Sequence, residues 1–246
     1  MISRSGLHVD VDGEGPDLLL LHGGAGAASD LVALRARLAV GRRVIAPDQR
    51  CHGRSPDLGQ LTYAAMAADT AALLDELGVR AADVVGWSDG GVIGLYLGRD
   101  RPDLVGRLVP ISANVSWAPP APAAMDESAF VWLATAAADD FALPDGRDEL
   151  PGAAEAWPAI VERLKAMWRG DPGITLAELA RTTTPVLFVA GDRDLVRTEH
   201  TVAMFEATPN AQLAIIPGAD HRVPQTHAAE VAAIVEQFLG RASPAD

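Results

Sequence analysis

The residues Gly86-Trp87-Ser88-Asp89-Gly90-Gly91 hold the sharpest chemical signal in this chain. A serine hydroxyl is a weak nucleophile until a base takes its proton. It must also be presented, and a serine on a sharp turn between a buried strand and a helix stands clear of both. Such a turn tolerates only small neighbours, and Gly86 and Gly90 supply the space. The helix that follows offers backbone N–H groups to negative charge developing nearby. Ser88 is therefore the expected nucleophile, and attack on a carbonyl the expected chemistry.

A serine used this way needs a base and a group that orients the base. His221, in Pro217-Gly218-Ala219-Asp220-His221, lies in a loop after the last apolar run and before the last predicted helix. That place lets it reach the serine hydroxyl as general base. The other five histidines read as structural. His8 is on the first strand facing solvent, His22 braces a glycine loop, and His52 is in the loop after the second buried strand. His200 and His227 fall on helices. Gly191-Asp192-Arg193-Asp194 offers two carboxylates after another buried run. Asp194 is the expected partner of the imidazole, and Asp192 reads as a turn-former. His22-Gly23-Gly24 follows the apolar run Leu18–Leu21. The backbone N–H groups of Gly24 and Asp89 are the expected donors to the oxyanion.

These residues need a frame that brings distant loops together. The short apolar run Leu18–Leu21 reads as a strand buried on both faces, Arg43–Ala46 and Asp83–Gly86 as further buried strands, and Leu108–Ile111, Pro185–Ala190 and Gln212–Ile216 as strands. Leu7–Val11 reads as an edge strand. Helical spacing separates the runs: Leu31–Val40 with Ser29 or Asp30 as N-cap, Thr62–Leu77, Gly90–Gly98, Thr198–Ala207 and Thr226–Leu239. Strands alternating with helices predict a parallel sheet covered on both faces. The alternation breaks at Trp117-Ala-Pro-Pro-Ala-Pro122, and short helical pieces follow to about Gly173. This segment is expected to roof the serine.

The order Ser88, Asp194, His221, the G-x-S-x-G turn and the H-G-G loop together resemble the α/β-hydrolase superfamily over nearly the whole chain. Asp48-Gln-Arg-Cys-His-Gly-Arg-Ser55 resembles the D-x-R-G-x-G-x-S loop of that family, with Cys51 where glycine is usual. The resemblance implies an α/β-hydrolase fold, with a mostly parallel sheet, helices on both faces and a short helical cap after the sixth strand. It implies a core of residues 1–113 and 176–246 and a cap of 114–175. Haloalkane dehalogenases and epoxide hydrolases of this fold use Asp as nucleophile, so Ser88 points to acyl transfer. The expected activity is hydrolysis of a small-molecule ester or lactone through an acyl-enzyme, with neither metal nor organic cofactor. C–C bond hydrolases, perhydrolases and cofactor-free haloperoxidases resemble the same pattern, and a ligand receptor of this fold is a further alternative.

The substrate is less legible. Trp87, Trp117 and Trp132 are candidate pocket residues, because aromatic side chains suit an apolar site. Gly86-Trp87-Ser88-Asp89-Gly90-Gly91 is also similar to the valacyclovir-hydrolase-like branch. A carboxylate at Asp89 would there hold a substrate ammonium group, or it would point away and cap the next helix. The net charge of −13 argues against nucleic acid and anionic membrane surfaces as partners. Residues 114–173 carry ten acidic and four basic side chains, which tilts further against anionic substrates. The single cysteine excludes an internal disulfide framework. No apolar run resembles a signal or a membrane span, so the expectation is a cytoplasmic monomer or homodimer.

Overall fold

The computed structural model of the chain describes residues 1–240. In chain order the main elements are β1 (Val9–Asp12), β2 (Asp17–Leu21), α1 (Val32–Leu38), β3 (Arg43–Pro47), α2 (Tyr63–Glu76), β4 (Ala82–Trp87), α3 (Asp89–Asp100) and β5 (Val105–Ile111). Then come α4 (Glu127–Thr135), α5 (Ala153–Arg169), α6 (Leu176–Leu179), β6 (Leu187–Gly191), α7 (Thr198–Ala207), β7 (Gln212–Ile216), α8 (Val223–Thr226) and α9 (Ala228–Leu239). Among the described residues the strands form one sheet in the order β1-β3-β2-β4-β5-β6-β7. Only β1 runs antiparallel to its neighbour.

The inner strands β2 to β6 are largely buried on both faces because their side chains alternate between two cores, while the edge strands β1 and β7 are only partly covered. Leu19 and Leu21 of β2 join Val84 and Leu108 beneath α2 and α3. Leu18 and Leu20 join Val85 and Val109 beneath α1 and α9. The chain leaves β2 toward β3 on one side and leaves β4 toward β5 on the other. Adjacent parallel strands whose exits diverge leave a crevice beyond their C-terminal ends, where ligands bind in such sheets. The His22-Gly23-Gly24 loop and Ser88 are the residues that follow β2 and β4.

Several local expectations need correction. The helical segment expected after the sixth strand follows the fifth, because five strands, β1 to β5, precede α4, and Ile2 and His8 form only an isolated bridge. Ser29 and Asp30 do not cap α1. They lie within a 3-10 turn (Ala28–Leu31), and the Asp30 carboxylate accepts the Ala27 N–H. The last helix is broken at His227, which lies between α8 and α9. Pro224 sits at the start of α8, where its missing N–H costs no helical bond. His8 does not face solvent: its side chain is largely covered and lies 3.8 Å from the Asp48 carboxylate.

The segment between β5 and β6 is tied to the core at several points. Arg197 N–H, at the start of α7, donates to Ala124 O at 2.8 Å. Arg163 of α5 pairs with Asp57 at 2.6 Å. Arg147 is 2% exposed, and its guanidinium donates to Ser55 O at 2.5 Å. His200 of α7 accepts the Val115 N–H and donates to Pro122 O, pinning the Pro-rich stretch where the cap leaves the sheet.

Candidate active site

Ser88 has a φ of 53°, a left-handed backbone unusual for a residue with a Cβ. Its N–H donates to Ile111 O at 2.8 Å, and its carbonyl accepts from Gly91 and Val92 at the start of α3. The close approach explains both glycines of the motif. A Cβ on Gly90 would fall 2.6 Å from His22 O, and one on Gly86 would overlap the Gly90 carbonyl. The backbone strain is thus held in place by β4, β5 and α3 together.

The structure brings Ser88, His221 and Asp194 into one line. Ser88 Oγ lies 2.9 Å from His221 Nε2, and His221 Nδ1–H donates to Asp194 Oδ1 at 2.7 Å. The Asp194 side chain is fully buried. Burial works against its ionised form, but hydrogen bonds from His221, Ser112 and the Val196 N–H outweigh it, so its carboxyl is held below the usual range. Asp192 lies apart and accepts the Gly218 N–H at 2.6 Å, joining the loops after β6 and β7.

Gly24 and Asp89 both line the pocket that holds Ser88 and His221. Neither backbone N–H meets an acceptor among the described residues. Two unpaired donors beside a nucleophile can receive the negative charge of a tetrahedral intermediate. The Gly24 donor is oriented from below. Gln49 N–H donates to His22 Nε2 at 2.9 Å, which requires the tautomer with hydrogen on Nδ1. That Nδ1–H then donates to Gly23 O at 2.7 Å. Gly23 O and Gly24 N–H belong to one planar trans peptide and point in opposite directions. Holding the oxygen inward holds the N–H outward.

The pocket encloses about 180 Å³, less than the ~300–1,000 Å³ common for ligand sites. Met125, Trp132, Leu133, Phe141 and Trp168 form its apolar walls. Of the aromatic candidates, Trp132 lines it, but Trp87 and Trp117 do not. Trp87 ends β4 with its ring among the side chains beneath α1 and α9, where its Nε1–H donates to His221 O at 2.8 Å. Trp117 packs edge-on against Phe130, with ring centroids 5.7 Å apart. Both serve as supports, because each ring is taken up by a neighbouring element before it can reach the cavity.

Asp89 does not cap α3. Its Oδ1 accepts the Tyr63 hydroxyl at 2.8 Å, and its Oδ2 accepts Trp168 Nε1–H at 2.9 Å. Burial pushes its carboxyl above the usual range, only partly offset by Trp168 and Tyr63. Tyr63, Ser112 and Asn114 escaped the sequence reading. Tyr63 begins α2 and gave no signal, since its contact depends on how two helices pack. Ser112 and Asn114 follow the C-terminal end of β5, a position where polar residues gather around ligands in parallel sheets.

The chain belongs to the alpha/beta hydrolase family, whose sequence pattern it matches over residues 18–234. It is 31% identical to a 2-hydroxymuconate semialdehyde hydrolase from Pseudomonas putida, covering 97% of this chain and 92% of that one. It is also 31% identical to a pimeloyl-[acyl-carrier protein] methyl ester esterase from Xanthomonas campestris, covering 95% of this chain and 98% of that one. Its fold is similar to that of carboxylesterase CesB from Bacillus subtilis, with a TM-score of 0.76 at 22% identity, covering 98% of this chain and 90% of that one. These relatives are hydrolases. Among the described residues no helix is long and apolar enough to cross a membrane.

Proposed function

We propose that the protein hydrolyses a small carboxylic ester or lactone through an acyl-enzyme on Ser88. The observation that carries this reading is the Ser88–His221–Asp194 line, set beside two backbone N–H groups without acceptors. As Ser88 Oγ bonds to the substrate carbonyl carbon, His221 Nε2 takes the hydroxyl proton. The carbonyl oxygen becomes the oxyanion and accepts from Gly24 and Asp89 N–H. Collapse of the intermediate breaks the bond to the alkoxy oxygen, which leaves with the proton from His221. Water then attacks the acyl-enzyme, gives one proton to His221, and releases the acid as that proton returns to Ser88. Asp194 stabilises the imidazolium at each stage.

The small apolar cavity favours a short or compact acyl group. Asp89 adds a second feature. Its buried carboxylate lines the cavity with two neutral donors and, among the described residues, no arginine or lysine paired with it. That favours an α-amino ester, whose ammonium group would complete the pairing. The C–C hydrolase named among the relatives is the alternative on the same residues.

The test is turnover of short p-nitrophenyl esters, together with an α-amino ester and its des-amino analogue. Ser88→Ala is expected to lower kcat by roughly 10⁴-fold or more. Asp89→Ala is expected to lower the α-amino over des-amino ratio of kcat/KM. Undiminished turnover by Ser88→Ala overturns the acyl-enzyme, and an unchanged ratio removes the ammonium preference.

A further inference from the structure

We infer that Ser112 is a positioning residue that aims the Asp194 carboxylate, and through it the His221 ring; the inference builds on the catalytic reading above. Ser112 is the first residue after β5 and is 2% exposed. Its Oγ–H donates to Asp194 Oδ2. The two oxygens of Asp194 are shared out among four donors. Oδ1 takes His221 Nδ1–H and the Val196 N–H, while Oδ2 takes Ser112 and, at 3.3 Å, the Gly191 N–H. Without Ser112, Oδ2 keeps only that long contact, and rotation of the carboxylate carries Oδ1 away from the imidazole.

The backbone at this point supports the same role. The Ile111–Ser112 peptide accepts the Ser88 N–H at its carbonyl and donates the Ser112 N–H to Val189 O, each at 2.8 Å. One peptide unit therefore joins the turn that carries the nucleophile to the strand that leads to Asp194. The hydroxyl on the same residue completes the link. Ser112 adopts this geometry with a φ of 53°. Glycine or asparagine would carry such a backbone more easily. A serine held there against its preference spends its hydroxyl on the Asp194 carboxylate.

The experiment compares Ser112→Ala, Ser112→Gly and Ser112→Asn with the wild type. Glycine removes the hydroxyl while relieving the backbone, so loss of folding cannot account for a shared effect. Asparagine tolerates the left-handed backbone and restores a donor. The readouts are kcat and KM for a short p-nitrophenyl ester across pH, and NMR titration of the His221 ring in the free protein. Alanine and glycine are expected to lower kcat about tenfold, as for loss of a hydrogen bond to a charged group. KM should hold, because Ser112 does not line the pocket. The acid limb and the His221 titration should move together to lower pH, since a rotated carboxylate no longer holds the imidazolium. Asparagine is expected to recover much of kcat. Wild-type kcat and an unmoved His221 titration in both alanine and glycine variants overturn the inference. The titration needs no substrate. If Ser88→Ala were to retain turnover, the catalytic reading would fall, while a shifted titration would still support the positioning role.

Discussion

His22 offers a direct test of how the Gly24 N–H, the proposed oxyanion donor, is aimed, because its two ring nitrogens do separate work. Nδ1–H holds Gly23 O at 2.7 Å and Nε2 accepts the Gln49 N–H at 2.9 Å. Two amide side chains can each keep one of these bonds. Asparagine places an N–H where Nδ1 stands and leaves Gln49 N–H orphaned. Glutamine places an oxygen where Nε2 stands and leaves Gly23 O orphaned. His22 is 1% exposed, so water cannot easily replace either partner. Each variant should therefore lose about 1–3 kcal/mol of stability, the cost of one buried unsatisfied group.

Activity should separate what stability does not. In His22→Gln the Gly23–Gly24 peptide is free to rotate, and the Gly24 N–H loses its aim. Deleting an oxyanion donor outright costs ~10²–10³ in kcat. A donor that is present but misdirected keeps part of its effect, so about 10–100-fold is expected. His22→Asn keeps the peptide clamped and should retain most of kcat. The assay pairs urea midpoints with kcat and KM on a short p-nitrophenyl ester. Equal kcat in the two variants, at similar stability, refutes the peptide-plane argument.

Two further outcomes follow from the same geometry. A Cβ on Gly24 would fall 2.6 Å from the Trp168 ring and overlap the Asp89 carboxylate. Gly24→Ala should thus cost about 1–3 kcal/mol through overpacking and lower kcat by displacing the Gly24 peptide, read by urea midpoint and steady-state rates; unaltered stability and kcat would contradict the close packing at Gly24. Asp89→Asn should raise Tm at neutral pH. Burial raises the Asp89 carboxyl, so its stabilising contribution is fully present below the unfolded-state value and lost as pH rises through the folded one. Asparagine carries no such cost, and it can accept from Trp168 and donate to the Tyr63 oxygen. The Tm gain should shrink as pH falls and vanish below about 4; a gain that is the same at every pH contradicts a buried ionised carboxylate.

The parts of the site legible in the sequence are those fixed by backbone requirements. Ser88 announced itself because its turn excludes side chains at Gly86 and Gly90. His221 and Asp194 stood out because each follows a short apolar strand, and the C-terminal ends of such parallel strands converge. The helical segment between β5 and β6 was visible as a break in the alternation. Its residues' roles were not. Trp87, Trp117 and Trp132 look alike in composition, yet one braces the His221 loop, one packs on Phe130 and one faces the cavity. Which way an aromatic ring points depends on neighbours far away in sequence.

Asp89 shows where the two kinds of information meet. Its backbone N–H is placed by the turn, so the sequence assigned it as a donor beside Ser88. Its side chain is placed by α2 and α5, through Tyr63 and Trp168, and no local pattern predicts that. The Trp168 ring comes from the cap and the Tyr63 hydroxyl from the core. The same residue therefore carries a donor fixed by the sheet and a carboxylate whose pairing depends on the seating of the cap. A substrate that displaced Trp168 from Asp89 would loosen the cap while completing the carboxylate's pairing with its own donor. Asp89 thus joins α2, α3 and α5 through one side chain beside Ser88.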